Sequence, residues 1–126
     1  MNLRSNLLRR KGYPYFGLFL AFLCLCSIAA AQDLPVPQRY VEDRATIVSD
    51  TIETSLNGYL QELEQKTGAQ MIILTINTTG DIPIEMYATE LATKWKLGQK
   101  GKDNGVLCVI AKDDRAYRIE VGYGLE

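Results

Sequence analysis

The sequence predicts an α/β fold, a layered mixed β-sheet flanked by helices. Two apolar runs, at residues 69–76 and 106–111, have the length and the branched side chains of covered strands. A segment with apolar residues at helical spacing precedes each run. After the short turn 112–115, residues 117–121 alternate apolar and charged, which indicates a strand with an exposed face or an edge position. The predicted order is therefore helix, strand, helix, strand, strand.

The first 31 residues have the features of a secretory signal peptide. Four basic residues come before an apolar run at about 16–30, which ends in three alanines. We expect cleavage after Ala31 and export to a periplasmic or other extracytoplasmic location. An uncleaved anchor is the alternative, because the run is close to the upper length of a signal peptide. Residues 32–39 contain two prolines and are predicted to be an extended linker to a domain at 40–126.

The first helix is predicted to begin at Asp50 and to end at Gly68. Asp50 and Glu53 have the spacing of a capping-box variant. The glycine can supply the left-handed conformation that often terminates a helix. The apolar residues of this segment share one face at helical spacing: Ile52, Leu56, Tyr59, Leu60 and Leu63.

The second helix is predicted to begin near Asp81 and Pro83 and to end at Gly98. Its apolar residues also share a face: Ile84, Ala88, Leu91, Ala92 and Trp95. A strand, helix, strand crossover makes the strands at 69–76 and 106–111 parallel. The short turn that follows makes the third strand antiparallel to the second.

Charge and composition exclude several classes of function. Four of the 14 basic residues and none of the 15 acidic residues lie in the leader, so the rest of the chain has 10 basic and 15 acidic groups, a net charge of −5. A nucleic-acid partner is therefore not expected, because binding a phosphate backbone needs clustered Lys and Arg. The chain has no histidine, which excludes a histidine-based triad, zinc site or general base. Cys108, which has no second cysteine beyond the leader to pair with, is expected to be a small buried hydrophobe.

Three aspartates are the candidate metal ligands: Asp43, Asp113 and Asp114. Asp43 precedes the first helix, whose start is expected near the carboxyl end of the first strand, and the other two follow the second strand. Open α/β sheets usually bind ligands beyond the carboxyl ends of their strands, and clustered carboxylates favour Ca²⁺ or Mg²⁺. The alternative is that Asp113 and Asp114 are only turn residues. Asp50 and Asp81 are predicted to be helix caps rather than ligands.

A second polar group is expected at the opposite edge of the sheet. Asp103 and Asn104 precede the second strand, and Glu126 follows the third. A strand of six residues separates the two edges by roughly 20 Å, so the two groups cannot form one site. Asp103, Asn104 and the glycine after them are similar to the start of a calcium loop and form a second candidate cation site. The glycines of G-Y-G near the end of the chain are predicted to form a sharp backbone turn.

Two motifs carry a resemblance to a known family. K-G-K-D-N-G-V-L at 100–107 leads through a short apolar run and D-D-R to I-E-V-G-Y-G-L-E at 119–126, and L-P-V-P-Q-R-Y-V-E-D-R-A at 34–45 opens the domain. Together they resemble the TPM domain, a family named after plant thylakoid, cyanobacterial and nematode members. The resemblance implies a layered α/β sheet in which further residues follow G-Y-G-L-E. The chain is thus expected to lack the C-terminal part of the fold. Many bacterial relatives have a membrane span after that part, and such a span would anchor the protein.

The resemblance implies two classes of function. One is a divalent-metal-binding accessory module, with Ca²⁺ or Mg²⁺, that assembles or maintains a membrane protein complex outside the cytoplasmic membrane. The other is a metal-dependent acid phosphatase acting on phosphate monoesters. In that enzyme Asp43 or Asp114 would serve as ligand or base, and Arg115 would offset transition-state charge. No phosphatase motif is found in the residues themselves, which favours the accessory module.

The leader generates the first prediction. When the full-length protein is expressed in an exporting cell, we expect it outside the cytoplasm with Gln32 at its new amino terminus, because the three alanines present a cleavage site. Mass spectrometry of the recovered protein measures this. An intact chain that begins at Met1 and stays in the membrane would contradict the prediction.

Overall fold

Strands and helices alternate along the chain in the computed structural model, which describes residues 36–126. Four strands occur in this part of the chain: β1 (Val41–Asp43), β2 (Gln70–Ile76), β3 (Gly105–Ala111) and β4 (Ala116–Val121). The helices are α1 (Asp50–Thr67), α2 (Ile84–Trp95) and a 3₁₀ turn at Tyr123–Leu125. The predicted signal peptide and the first half of the predicted linker lie outside the described residues. From residue 36 onward, no helix is long and apolar enough to cross a bilayer.

The four strands form one mixed sheet in the order β1-β2-β3-β4. Strands β1, β2 and β3 are parallel, and β4 is antiparallel to β3. The β2–β3 pairing runs from Gln70 opposite Gly105 to Ile76 opposite Ala111. The predicted α/β class, the parallel crossover and the edge position of the last strand are confirmed.

Strand β1 was not predicted. It has three residues, too few for an alternating pattern to be visible between the prolines of the linker and the turn that follows. Its extended conformation depends on pairing with β2, where Val41 lies opposite Ile73 and Asp43 opposite Thr75. Because this pairing joins residues about thirty positions apart, sequence periodicity carries no signal for it.

The main core lies between α2 and one face of the sheet. Leu107 of β3 and Glu120 of β4 point to the same face and line a cleft together with Thr89 and Thr93, which places α2 on that side. The buried side chains of the sheet on this face are Ile72, Leu74, Ile76, Leu107, Val109 and Ala111, and α2 contributes Ala88, Leu91 and Trp95. Burying each larger apolar side chain contributes about 1.5–3 kcal/mol, so this layer is the main source of stability.

Helix α1 contacts β1 and β2 through a stripe different from the predicted one. Of the predicted apolar face only Leu60 is buried, while Ile52 is 53% exposed and Tyr59 69% exposed. The neighbouring stripe makes polar contacts with the start of β1. The Asn57 Oδ1 atom accepts hydrogen bonds from the backbone N–H groups of Tyr40 (3.0 Å) and Val41 (3.1 Å). The predicted apolar stripe is therefore wrong in part, because α1 contacts the three-residue strand β1 through the Asn57 amide.

The predicted helix caps differ from the structure, and one predicted helix end differs as well. Helix α1 begins at Asp50 as predicted, but its N-cap is Ser49, in an extended conformation, so Asp50 is the first helical residue and not the cap. Pro83 is the N-cap of α2, and Asp81 lies in the preceding turn. Helix α2 ends at Trp95 rather than at Gly98, with Lys96 in the left-handed region at φ 50°. The end of α1 at Gly68, with φ 77°, is as predicted.

The segment after α2 is held by the first side chain of β2 and by the side chain directly before β3. The Gly98 N–H donates to Gln70 Oε1 (2.8 Å), and the Gln99 N–H donates to Asn104 Oδ1 (2.7 Å). The Asn104 Nδ2 group donates to the Gly68 carbonyl (2.8 Å). Asn104, which is 7% exposed, thus joins the end of α1, the loop after α2 and the start of β3. These bonds replace the ones that a longer α2 would make.

Asn104→Ala should destabilise the domain, because it leaves the Gly68 carbonyl and the Gln99 N–H without their partner. Gly68 is half-buried and Gln99 is exposed, so water can replace part of what is lost, and each of the two hydrogen bonds contributes about 0.5–1.5 kcal/mol. Because about 1 kcal/mol corresponds to about 4–8 °C in a domain of this size, we expect a melting temperature lower by about 5 °C or more by circular dichroism. Asn77→Ala, at an exposed position after β2, is the matched control and should change little. Equal melting temperatures for the two variants would show that Asn104 does not join these segments.

Candidate functional site

The three predicted ligands all lie at the carboxyl edge of the parallel strands. Asp43 is the last residue of β1, and Asp113 and Asp114 belong to the turn after β3. The Asp113 N–H donates to the Asn77 carbonyl at the end of β2 (2.8 Å), which fixes this turn against the loop after β2. The prediction of a shared edge is therefore confirmed by the strand topology.

Asp43 organises the turn between β1 and α1. Its carboxylate accepts hydrogen bonds from the Thr75 hydroxyl and from the backbone N–H groups of Ile47 (3.2 Å) and Val48 (2.8 Å). Burial alone would raise the pKa of Asp43, but these hydrogen bonds favour the charged form and lower the pKa overall. The same turn contains Thr46 at φ 54°, a conformation that the bonds to Asp43 help to hold.

Asp114 plays the same part for the loop between β2 and α2. Its carboxylate accepts hydrogen bonds from the Thr79 N–H (2.8 Å) and the Thr78 hydroxyl (2.7 Å). The Thr79 N–H and then the Thr78 hydroxyl lower the pKa of Asp114. Asp113 is exposed, 3.5 Å from the Lys112 ammonium group. Sequence reasoning missed the two threonines; a signal was their adjacent position in the polar loop after β2.

The two hydrogen-bonded carboxylates belong to separate clusters. Asp43 bonds to Thr75 inside the sheet, and Asp114 bonds to the loop residues Thr78 and Thr79. Between residues 36 and 126, no group of three or more Asp, Glu, Cys or His side chains is arranged to hold a metal ion. Because Ca²⁺ takes six to eight oxygen ligands and Mg²⁺ about six, the carboxyl edge as arranged does not supply a complete site.

The opposite edge contains a cleft of about 680 Å³ between the end of α2 and the end of β4. Asp103, Glu120 and Glu126 line it together with Lys96 and Lys100. The predicted placement of Asp103 and Glu126 away from the three aspartates is confirmed, because β3 begins at this edge and ends at the other. Because the cleft contains both acidic and basic side chains, it can contact ligands of either charge.

The glycines after β4 form the predicted sharp turn at the side of this cleft. The Gly122 N–H donates to the Gly105 carbonyl (2.8 Å), and the Gly124 N–H donates to the Asp103 carbonyl (2.9 Å). A Cβ atom at Gly122 would lie 2.0 Å from the Asp103 carbonyl oxygen, so no larger residue fits this packing.

The thiol of Cys108 does not contribute to either edge. Cys108 is half-buried within β3, and burial raises the pKa of its thiol. The protonated thiol is a poor nucleophile. The residue predicted to be a small buried hydrophobe is thus only half-buried.

The chain matches a known family over most of its length. The family model of the TPM domain matches residues 41–126. The chain belongs to the TPM domain family. No curated protein matches the chain.

Two solved structures are similar to this TPM domain. One is the N-terminal domain of a protein from P. gingivalis, at 35% identity and a TM-score of 0.64, with 70% of this chain and 56% of that chain covered. The other is the N-terminal domain of the cg2496 protein from Corynebacterium glutamicum, at 14% identity and a TM-score of 0.59, with 78% and 63% covered. The second shows similarity of fold alone. The chain thus spans less than two thirds of both structures.

The hydrogen-bonded aspartates make stability depend on acidic pH. Because the pKa values of Asp43 and Asp114 are lowered in the folded state, their contribution is present above the unfolded value of about 3.9 and is lost as pH falls through the folded values. We expect Asp43→Asn plus Asp114→Asn to lower stability at neutral pH and to flatten its decline at acidic pH. Urea unfolding between about pH 2 and pH 7 measures both effects. Asp81→Asn, at an exposed position, is the control, and parallel curves for the double variant and the unaltered protein would contradict the prediction.

Proposed function

We propose that this TPM domain is a non-catalytic accessory module that helps to assemble or maintain a membrane protein complex outside the cytoplasm. The observation that carries the proposal is that the carboxylates at the carboxyl edge already accept hydrogen bonds from neighbouring loops. Asp43 and Asp114, its two best candidates for catalysis, each bind loop donors that fix a turn. A general base needs a lone pair directed at a substrate proton, and a carboxylate surrounded by backbone donors is a weaker base.

Composition supports the same conclusion. The chain has no histidine, and the Cys108 thiol is protonated by the effect of burial on its pKa. The exported setting and the membrane-bound partner rest on the predicted leader and on the resemblance to exported bacterial members of the family.

Divalent cation binding by Asp43, Asp113 and Asp114 is part of the proposal. These side chains share one edge, and Asp113 is exposed there beside the turn that holds Asp114. Because the described arrangement lacks a group of three ligands, Ca²⁺ or Mg²⁺ has to draw the turn after β3 and the end of β1 together. Binding to the folded state alone then raises the stability of the domain by about 2.7 kcal/mol when the free cation is at a hundredfold excess over Kd.

The test measures thermal unfolding with and without Ca²⁺ or Mg²⁺, together with hydrolysis of a generic phosphate monoester. We expect a cation-dependent rise in melting temperature in the unaltered protein, a smaller rise in Asp43→Asn, Asp113→Asn and Asp114→Asn, and no hydrolysis at any pH. Asp114→Asn also weakens the turn without cation, so the cation-dependent increment is the quantity to compare. Glu62→Gln, on the exposed side of α1, is the charge-matched control and should keep the full increment.

The outcomes separate the two function classes. Hydrolysis that copurifies with the folded protein and is lost in Asp43→Asn and Asp114→Asn would replace the accessory module by an acid phosphatase. An unchanged cation increment in all three aspartate variants would remove the cation site from the carboxyl edge. The candidate cation ligands would then be Asp103 and Glu126 in the opposite cleft.

A further inference from the structure

Strand β4 has one open side within residues 36–126. The Gly122 N–H donates to the Gly105 carbonyl (2.8 Å), and backbone groups in an antiparallel ladder alternate in direction. The N–H and C=O groups that point to β3 therefore belong to Ala116, Arg118 and Glu120. Those of Tyr117, Ile119 and Val121 point away from the sheet, because β4 is the last strand in its order.

The open side of β4 lacks the usual protection of an edge strand. Natural edges are protected by prolines, charged side chains and especially lysines, bulges or a very short strand. Strand β4 has six residues, A-Y-R-I-E-V, without proline or lysine, and its two charged residues have opposite signs, so they repel most strands but can pair with a strand that carries the reverse order of charges. The other edge strand, β1, has three residues, and its outward Val41 N–H is bound by the Asn57 side chain (3.1 Å). The contrast leaves β4 as the edge that can accept another strand.

The side chains of β4 favour a particular partner. One face presents Tyr117, Ile119 and Val121, which are 73%, 47% and 45% exposed. The other face carries one positive and one negative residue, Arg118 and Glu120, two positions apart. A strand that pairs here has to offer apolar residues on one face and the reverse order of charges on the other.

We propose that the partner is a second copy of this chain, whose β4 pairs antiparallel with the first in a register that places Ile119 opposite Ile119 of the partner subunit. In this register Arg118 faces Glu120 of the partner subunit, and the reciprocal pair forms by symmetry. Tyr117 faces Val121 of the partner subunit, an aromatic and β-branched pair of the kind that stabilises sheets. The strand is thus complementary to itself.

Neighbouring registers are disfavoured by charge. Outward backbone groups occur only at alternate residues, so the strands can shift only in steps that keep these groups opposite one another. One step in one direction puts Arg118 opposite Arg118 of the partner subunit, and one step in the other puts Glu120 opposite Glu120 of the partner subunit. Like charges directly opposite are destabilising, so the register centred on Ile119 is selected.

The pairing brings the two copies of α2 to the same side of the joined sheet. Helix α2 packs over β3 and β4, so the two helices lie next to each other there. The paired strands bury a small surface, so the dimer is weak and depends on concentration. The proposal concerns association only and does not depend on the proposed function.

Charge variants test the register by sedimentation of the full-length protein over a range of concentrations. The unaltered protein should reach a dimer at high concentration. Arg118→Glu alone and Glu120→Arg alone should each weaken self-association by about tenfold or more, because every cross-strand pair becomes like-charged. An equimolar mixture of the two variants should dimerise again. The bond between Arg118 and Glu120 of one chain is lost in both variants and stays lost in the mixture, so its repair cannot explain the recovery.

Cysteine cross-linking tests the same register independently. Residues opposite each other in a hydrogen-bonded antiparallel pair have Cα atoms about 5.5 Å apart, within disulfide range. The three native cysteines are replaced by alanine first, because Cys108 lies opposite residue 119 within one chain. Ile119→Cys should then give a disulfide-linked dimer under mild oxidation, and the control Tyr117→Cys should give little.

Three outcomes would overturn the proposal. One is a monomer at every concentration. Another is that both single charge variants associate as strongly as the unaltered protein, which would place the contact elsewhere, including in the leader. The third is cross-linking of Tyr117→Cys as fast as that of Ile119→Cys.

Discussion

The parallel pairing of β2 with β3 is the constraint on which the rest of the structure depends. Seven residues pair on each strand, and Leu74 and Val109 at the centre are completely buried. Buried backbone groups have to be paired, so this ladder cannot shift without exposing apolar side chains or leaving polar groups unsatisfied. Its two ends fix which loops meet: the loop after β2 meets the turn after β3 at one edge, and the end of α1 meets the loop before β3 at the other.

Each end of this ladder is closed by polar side chains. At the carboxyl edge, Asp43 and Asp114 bind donors of neighbouring turns, and at the amino edge Asn104 binds the loops after α1 and α2. The loops of a small domain bury little apolar surface, so specific hydrogen bonds of this kind determine their conformation. The first role of Asp43 and Asp114 is therefore to accept hydrogen bonds that fix the loops. A ligand at the carboxyl edge has to compete with the bonds already made there.

The second face of the sheet at β3 and β4 differs from the face under α2. Its side chains in β3 are half-buried, and those in β4 are exposed. The chain spans 56% of the P. gingivalis structure, so the relative contains elements that have no counterpart in the matched part. The exposed apolar side chains of this second face lie on β4, at Tyr117, Ile119 and Val121.

The sequence by itself determined the α/β class, the strands β2, β3 and β4, the end of α1 at Gly68 and the edge at which Asp43, Asp113 and Asp114 lie. These follow from local signals: apolar runs, alternation, a left-handed glycine and the fixed chirality of the crossover. Only the tertiary structure decided that β1 exists, that α1 turns Asn57 rather than Tyr59 toward the sheet, and that Thr78 and Thr79 bind Asp114. Each of these depends on a partner sixteen to about thirty-five residues away. No pattern within a helix or strand encodes such a partner, because it is chosen by the register of β2 against β1 and β3.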